Sequence, residues 1–280
     1  MDQLGDIVVA CRRNQDCAGL FAAMYRAVSS QVRQAVREGG LFADDASLEA
    51  FAVRFADRYL DAYRTYRRGG TCTRSWQLAF DYGASRRRRM IIQHLWVGMN
   101  AHINLDLGIA TVEAAPPGRL PVVYGDYLKV NEILFQMVDR LQSGLSEVSP
   151  RMAWLDRLGL GWDESIMRLA LRTARDVAWG FADALSEVEG EDRERRVADR
   201  DEDAAALARL IAWRWSPVHL AGVFVAAAER RSLSDAIDAF DTLTLDLDMR
   251  CDGRLTWRRP HRIPDRRRLV DVAGSPRRSR

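Results

Sequence analysis

Apolar residues recur at helical spacing along most of the chain, and this pattern predicts an all-α fold. Two consecutive segments each end in a glycine pair, which stops a helix. The second of them opens with acidic capping residues and carries its aromatic side chains on one stripe. The segments with the clearest helical pattern lie at 16–40, 44–70, 75–83, 86–110, 122–145 and 162–188.

Signals for strands are scarce. Residues 242–249 alternate between polar and apolar but have no convincing partner elsewhere in the chain. The charged stretch 189–203 is predicted to be an exposed helix or a loop, and a Ser-Pro cap at 216–217 predicts a further buried helix. We therefore expect a single multi-helix bundle around a buried central helix over 1–250, followed by an Arg-rich, partly ordered tail over 251–280.

Charge is unevenly distributed along the chain. The net charge is +3, but residues 251–280 hold ten arginines and three aspartates, so residues 1–250 sum to −4. A nucleic-acid-binding body needs its own basic face, so we expect no nucleic-acid partner. A weaker alternative is an adaptor that uses the tail to dock on an acidic surface.

The four cysteines show no paired spacing, and the N-terminal residues do not resemble a signal peptide. No apolar run reaches the roughly 18 residues that span a bilayer. We therefore expect a reduced, cytoplasmic protein with no transmembrane segment.

The most apolar helix, at 86–110, carries an unusual number of polar side chains. His94, Gly98, His102 and Asp106 follow one another at i, i+4 steps, and an opposite strip carries the two asparagines of the segment. Two narrow polar strips on an apolar cylinder are typical of a central helix packed on all sides. Buried polar groups need partners, which can be side chains or a bound molecule.

His102 and Asp106 lie one turn apart, so the imidazole and the carboxylate can converge. This spacing suits two kinds of site. The pair can bind one divalent metal, such as zinc, iron or manganese, with His94 and His219 completing the ligand set. Alternatively, it can act without metal, with Asp106 orienting His102 for proton transfer. Gly98 is expected to leave space for a ligand.

The residues beside this strip are the candidates for substrate contacts. They are Trp96, Gly98, Met99, Asn100 and Asn104. Their apolar members indicate a mostly apolar small-molecule substrate. Individually, Asn100 and Asn104 are better explained as hydrogen-bonded pins between helices. On the preceding aromatic helix, Arg54 and Arg58 are predicted to share a solvated, ion-paired face with neighbouring aspartates.

The segment "QHLWVGMNAHINLDLGIA" resembles a family of uncharacterised bacterial proteins, frequent in actinobacteria, with a Gly-Met-Asn-Ala-His-Ile-Asn-Leu-Asp-Leu core. The resemblance implies an all-α fold. The family has no assigned activity, so the resemblance transfers no catalytic residues to this chain.

Two functions follow from the residues. The first is a small-molecule enzyme with His102, Asp106 and His94 in its site. The alternative is a non-catalytic helical protein that binds a hydrophobic ligand or a partner and uses its polar strips as structural pins. The oligomeric state stays open.

Overall fold

The computed structural model of the protein describes residues 2–84, 91–115, 118, 120–148, 164–212, 233–241, 247–249 and 255–257. Two predictions fall outside these residues: the helix that contains His219, and most of the tail over 251–280. The chain divides into two compact units, Met1–Thr244 and Leu245–Arg280.

The regular elements in the described part of the first unit are all helices, which confirms the all-α prediction. Its helices are α1 (Asp2–Asn14), α2 (Ala18–Glu38), α3 (Asp45–Arg67), α4 (Arg74–Ala84), α5 (Ile91–Ala101), a π-helical turn (His102–Asp106), α6 (Leu107–Ala114), α7 (Leu120–Val148), α8 (Glu164–Ser186), α9 (Gly190–Ala212) and α10 (Leu233–Asp241).

Local signals set several helix ends. The Asp44 carboxylate accepts a hydrogen bond from the Ser47 backbone N–H at 3.0 Å and caps α3, as the acidic residues before this helix predict. After α2 the chain turns at Gly39, whose φ of 73° favours glycine. The charged stretch 189–203 was predicted to be an exposed helix or a loop, and all of it but residue 189 forms the first part of the continuous helix α9.

Helix α1 was not predicted, although its pattern is present in the sequence. Leu4, Ile7, Val8 and Cys11 lie at i, i+3, i+4 and i+7 and are all buried. They pack with α2 in the main apolar core. The signal is short because charged residues follow directly after Cys11.

The central helix of the bundle is formed by α5, the π-helical turn and α6. This continuous segment contacts α2, α3, α4, α8 and α9. Leu95, Val97, Ala101, Leu105 and Leu107 are each at most 2% exposed. The predicted buried central helix is therefore confirmed.

In the second unit, the described residues form a two-stranded antiparallel hairpin. Strand β1 (Leu247–Met249) pairs with β2 (Leu255–Trp257), and Asp248 lies opposite Thr256. Strand β1 lies in the alternating segment 242–249, and the sequence did not reveal a partner for it. That partner is β2, a short strand that follows soon after it in the chain. A hairpin this short carries too few alternating positions for its second strand to be recognised.

Candidate functional site

The His102–Asp106 segment forms a π-helical turn inside the central helix. The Leu107 N–H donates to the His102 carbonyl oxygen, five residues earlier, instead of to the residue four earlier as in an α-helix. Such single-turn insertions are frequent at functional sites because they re-aim side chains within a regular helix. Here the turn holds both residues that the spacing singled out.

The Asp106 carboxylate contacts the other polar side chains of the site. It is 1% exposed, and its Oδ2 lies 3.4 Å from His102 Nδ1, so the pairing predicted from the i, i+4 spacing is present. Trp76 Nε1 donates to the same oxygen at 2.7 Å, and Arg58 Nε donates to Oδ1 at 2.9 Å. Three side chains from three helices thus converge on one buried carboxylate.

Arg58 and Trp76 were missed as site residues. Arg58 was predicted to lie on a solvated face, but its side chain is 24% exposed and pairs with Asp106. Arg58 and Trp76 are 48 and 30 residues from Asp106 in the chain. No local pattern reports a contact at that separation, so helix periodicity could not find them.

The His102 ring is enclosed by aromatic side chains. It stacks on Phe55 with ring centroids 3.6 Å apart and planes 8° apart, and Tyr25 meets it edge-on at 4.4 Å. Burial lowers the pKa of His102 below its ordinary value of 6.5, and the hydrogen bond to Asp106 opposes that shift only in part. The imidazole is therefore neutral at pH 7.

One atom of this ring has no hydrogen-bond partner. His102 Nε2 is buried, and none of the described residues donates to it or accepts from it. Asp106 is paired with the cationic Arg58, and its Oδ2 faces Nδ1 of His102 as a hydrogen-bond acceptor. The tautomer of His102 with its hydrogen on Nδ1 is therefore favoured, and Nε2 carries the lone pair. A buried acceptor without a donor is uncommon in native proteins and requires an explanation, such as a bound water or a ligand.

His94 is not brought to this pair. It lies eight residues before His102, roughly 12 Å along a helix. Its ring meets Tyr82 at 5.0 Å, and it borders a cavity of about 20 Å³, which has room for one water molecule. Trp76 also lines this small cavity and is in contact with both His102 and Asp106.

Most of the space expected beside Gly98 is occupied by Phe21. A Cβ placed on Gly98 would lie 2.7 Å from Cδ2 of Phe21, so this glycine lets α2 approach the central helix closely. Gly98 also lines the cavity of about 20 Å³ that His94 borders, which has room for one water molecule and not for a substrate. Trp96 and Met99 pack against the main apolar core.

Asn100 and Asn104 act as pins between helices. Asn100 Nδ2 donates to the Ala204 carbonyl oxygen at 2.7 Å, and Asn104 Nδ2 donates to Asn100 Oδ1 at 2.9 Å. Arg200 Nε in turn donates to the Asn104 carbonyl oxygen at 2.6 Å. These polar groups join the central helix to α9, as their interpretation as pins predicts.

Within the described ranges, no three His, Cys, Asp or Glu side chains converge so as to hold a metal ion. The set of His94, His102 and Asp106 is therefore not assembled as predicted, and His219 lies outside the described residues. Both Asp106 oxygens already accept hydrogen bonds from Arg58 and Trp76. With both oxygens occupied by these hydrogen-bond donors, Asp106 is better suited to orient His102 than to bind a metal cation.

The pair lies between two clefts. The apolar cleft, of about 580 Å³, is lined mainly by Tyr25, Val32, Phe51, Phe55, Val130 and Leu134. The polar cleft, of about 500 Å³, is lined by side chains that include Arg58, Asp61, Thr65, Thr73, Trp76 and Asp106. Asp106 thus borders the polar cleft, and two aromatic rings that touch His102 border the apolar one.

Comparison with known proteins places this site inside a family. A protein-family model described as a family of unknown function (DUF5995) matches residues 1–213, a range that includes every residue of the His102–Asp106 site. No curated protein and no solved structure matches the chain. Among the described residues, we find no helix with the length and apolarity needed to span a bilayer. The chain belongs to the family of unknown function DUF5995.

Proposed function

We propose that the protein is a small-molecule enzyme in which His102 transfers protons and Asp106 fixes its tautomer and orientation. The observation that supports this proposal is the unpartnered Nε2 of a buried, neutral imidazole whose other nitrogen faces a carboxylate. A general base needs these properties: an available lone pair, a pKa that leaves it neutral at working pH, and a group that stabilises the cation formed.

The proposed step is a proton transfer without redox change. An acidic X–H group of the substrate gives its proton to Nε2, and the electron pair stays on the substrate. The resulting imidazolium is stabilised by Asp106, whose charge is held in place by Arg58 and Trp76. The proton then returns from Nε2 to another atom of the substrate, which regenerates the neutral imidazole.

The substrate is proposed to be mostly apolar and to arrive from the apolar cleft. Phe55 and Tyr25 line that cleft and contact the imidazole ring, so the cleft adjoins His102, and a substrate that reaches the buried Nε2 has to move a side chain. Burial keeps water from Nε2 when no substrate is bound, so the imidazole stays neutral and its lone pair is not hydrogen-bonded to water.

A cytoplasmic location is part of the proposal. Cys11 and Cys72 are thiols and form no disulfide. A reducing compartment maintains thiols of this kind.

The test compares the wild-type protein with His102→Gln and, as a matched control on the same helix, His94→Gln. Each is incubated with a small-molecule cell extract, and substrate consumption is followed by mass spectrometry. We expect compounds that the wild type and His94→Gln convert and His102→Gln does not. Conversion that survives His102→Gln, or an NMR spectrum with the proton of the neutral ring on Nε2, would contradict the proposal.

The apolar cleft favours a second candidate, a non-catalytic protein that binds a hydrophobic ligand. In that case the His102–Asp106 pair only stabilises the core, and His102→Gln lowers the free energy of unfolding without altering ligand affinity. The same three proteins distinguish the candidates, because only the enzyme shows conversion that depends on His102.

A further inference from the structure

The apolar cleft contains one buried charge, Arg175 on α8. The side chain is 2% exposed and lies among the residues that line the cleft. The other charged residues of the lining are all exposed; they are Arg33, Arg37, Glu49 and Asp57. Among the described residues that line this mainly apolar cleft, Arg175 is thus the one permanent cation in a buried position.

The guanidinium is held from two sides. Nε of Arg175 donates to Oδ1 of Asn131, and the guanidinium carbon lies 4.6 Å from the centroid of the Tyr127 ring. Tyr127 also donates its hydroxyl hydrogen to the Arg175 backbone carbonyl at 2.7 Å. Ring and amide together fix the orientation of the side chain before any ligand binds, which lowers the entropic cost of binding.

One further nitrogen of the guanidinium, Nη2, is buried and has no hydrogen-bond partner among the described residues. Within the described part of the chain, no carboxylate forms an ion pair with Arg175. The exposed Asp176 acts on Arg175 electrostatically but forms no ion pair with it. A buried cation without an ion-paired carboxylate costs several kcal/mol, so proteins rarely keep one unless a ligand supplies the anion.

We propose that the apolar cleft binds a molecule with an aliphatic chain and a terminal carboxylate, and that Arg175 binds that carboxylate. Guanidinium groups match carboxylates in geometry and form charge-assisted hydrogen bonds with them. The Val, Leu and Phe side chains of the cleft cover the chain of the ligand. Its volume of about 580 Å³ lies inside the range of small-molecule pockets, roughly 300–1,000 Å³.

This inference stands on the cleft and Arg175 and does not require His102 to be catalytic. It goes beyond the proposed proton transfer because it names a ligand class and an anchoring residue. If both proposals hold, the carboxylate anchor sets which part of the ligand chain lies against Phe55.

The test measures binding of two probes, decanoate and decan-1-ol, to the full chain by isothermal titration calorimetry. The probes share a ten-carbon chain and differ in the charged head. We expect decanoate to bind roughly 10- to 100-fold more tightly, the range for a hydrogen bond to a charged group. Arg175→Met should remove that preference and leave decan-1-ol binding unchanged, and Arg175→Lys should retain part of it.

Two further variants keep the result decisive. Val32→Glu places a charge among the apolar lining residues and is expected to abolish binding of both probes, which locates them in the cleft. His94→Gln, which lies outside the lining of the cleft, is expected to bind decanoate like the wild type. Conversion is followed with His102→Gln and binding with Arg175→Met, so failure of one proposal is distinguishable from failure of the other. Should Arg175→Met fail to fold, the wild type still decides, because decanoate has to raise its Tm more than decan-1-ol does. Equal affinity for the two probes, absence of binding, or decanoate affinity unaffected by Arg175→Met overturns the proposal.

Discussion

The imidazole of His102 lies flat against the phenyl ring of Phe55, with centroids 3.6 Å apart and an interplanar angle of 8°. This contact shields one face of the histidine ring from water. Burial is the largest contribution to the lowered pKa of His102, ahead of the opposing effect of Asp106. The charge state of His102 therefore depends on a residue of α3 that the pattern of the central helix does not reveal.

Phe55→Ala is expected to raise the pKa of His102 towards its ordinary value, because water then reaches the ring. The measurement is an NMR pH titration of the imidazole C–H resonances. Phe51→Ala is the matched control, since Phe51 stacks on Phe55 at 5.5 Å but is not part of the ring cluster around His102. A pKa of His102 that is identical in Phe55→Ala and the wild type would show that the Phe55 ring does not set its charge state.

The lowered pKa of His102 also predicts how stability depends on pH. Between the folded-state pKa and the unfolded value of 6.5, the unfolded chain binds more protons than the folded one. The free energy of unfolding therefore falls as the pH drops below 6.5, with a slope of at most about 1.4 kcal/mol per pH unit from this group. Urea denaturation at several pH values between about 7.5 and 5 measures the slope.

His102→Gln is expected to lose this contribution, since the group that titrates is gone. His94→Gln keeps His102 and should retain the part of the slope that comes from His102. The interpretation is refuted if the wild type and His102→Gln lose stability in parallel as the pH falls.

Arg58 is expected to be a major stabilising residue, although it lies on a face with the sequence pattern of a solvated surface. Arg58→Met leaves the buried Asp106 without its cation and should cost about 3–5 kcal/mol of unfolding free energy. Arg54→Met, one turn earlier on the same helix and exposed, should change stability by less than about 0.5 kcal/mol. Similar effects of the two substitutions in thermal or urea unfolding would show that the Arg58–Asp106 pair contributes little.

Metal content separates the two chemistries that the His102–Asp106 spacing allows. We expect the zinc, iron and manganese contents of the wild type, His102→Ala and Asp106→Ala to be equal after expression with mixed divalent metals. The reason is that Arg58 and Trp76 already bind both carboxylate oxygens. Elemental analysis provides the measurement. A stoichiometric metal in the wild type that disappears from both folded variants would favour the metal-site interpretation instead.

Features encoded within one turn of helix were predictable from the sequence. The Asp44 cap and the His102–Asp106 pair each involve residues three or four positions apart, so helical geometry alone brings their atoms together. The π-helical turn was not predictable, because it changes the hydrogen-bond register of the backbone without a distinctive residue pattern.

Features that depend on packing between helices were not accessible. Arg58, Trp76 and Phe55 complete the surroundings of His102 and Asp106 from α3 and α4, and Arg175 reaches the apolar cleft from α8. A helical wheel assigns each of these residues to a face of its own helix but does not say which helix lies opposite. Gly98 illustrates the limit, since a small residue in a buried helix is compatible with ligand space and with close helix contact.

The glycines of the central helix test that contact directly. A Cβ on Gly108 would lie 2.6 Å from Cδ1 of Phe181 and 2.9 Å from the backbone oxygen of Ala178, and backbone atoms cannot turn aside as a flexible side chain can. Gly108→Ala should therefore push α6 and α8 apart and cost about 1–3 kcal/mol.

Gly180 provides the matched control on α8, because an added Cβ there meets no atom within 4 Å. Gly180→Ala should stabilise the protein by about 0.5–1 kcal/mol, since alanine restricts the unfolded chain and favours the helix. The same chemical change is thus expected to have opposite signs on two helices that pack together. Thermal unfolding of the two variants measures both effects, and a neutral Gly108→Ala would mean that the central helix does not approach α8 as closely as the structure shows.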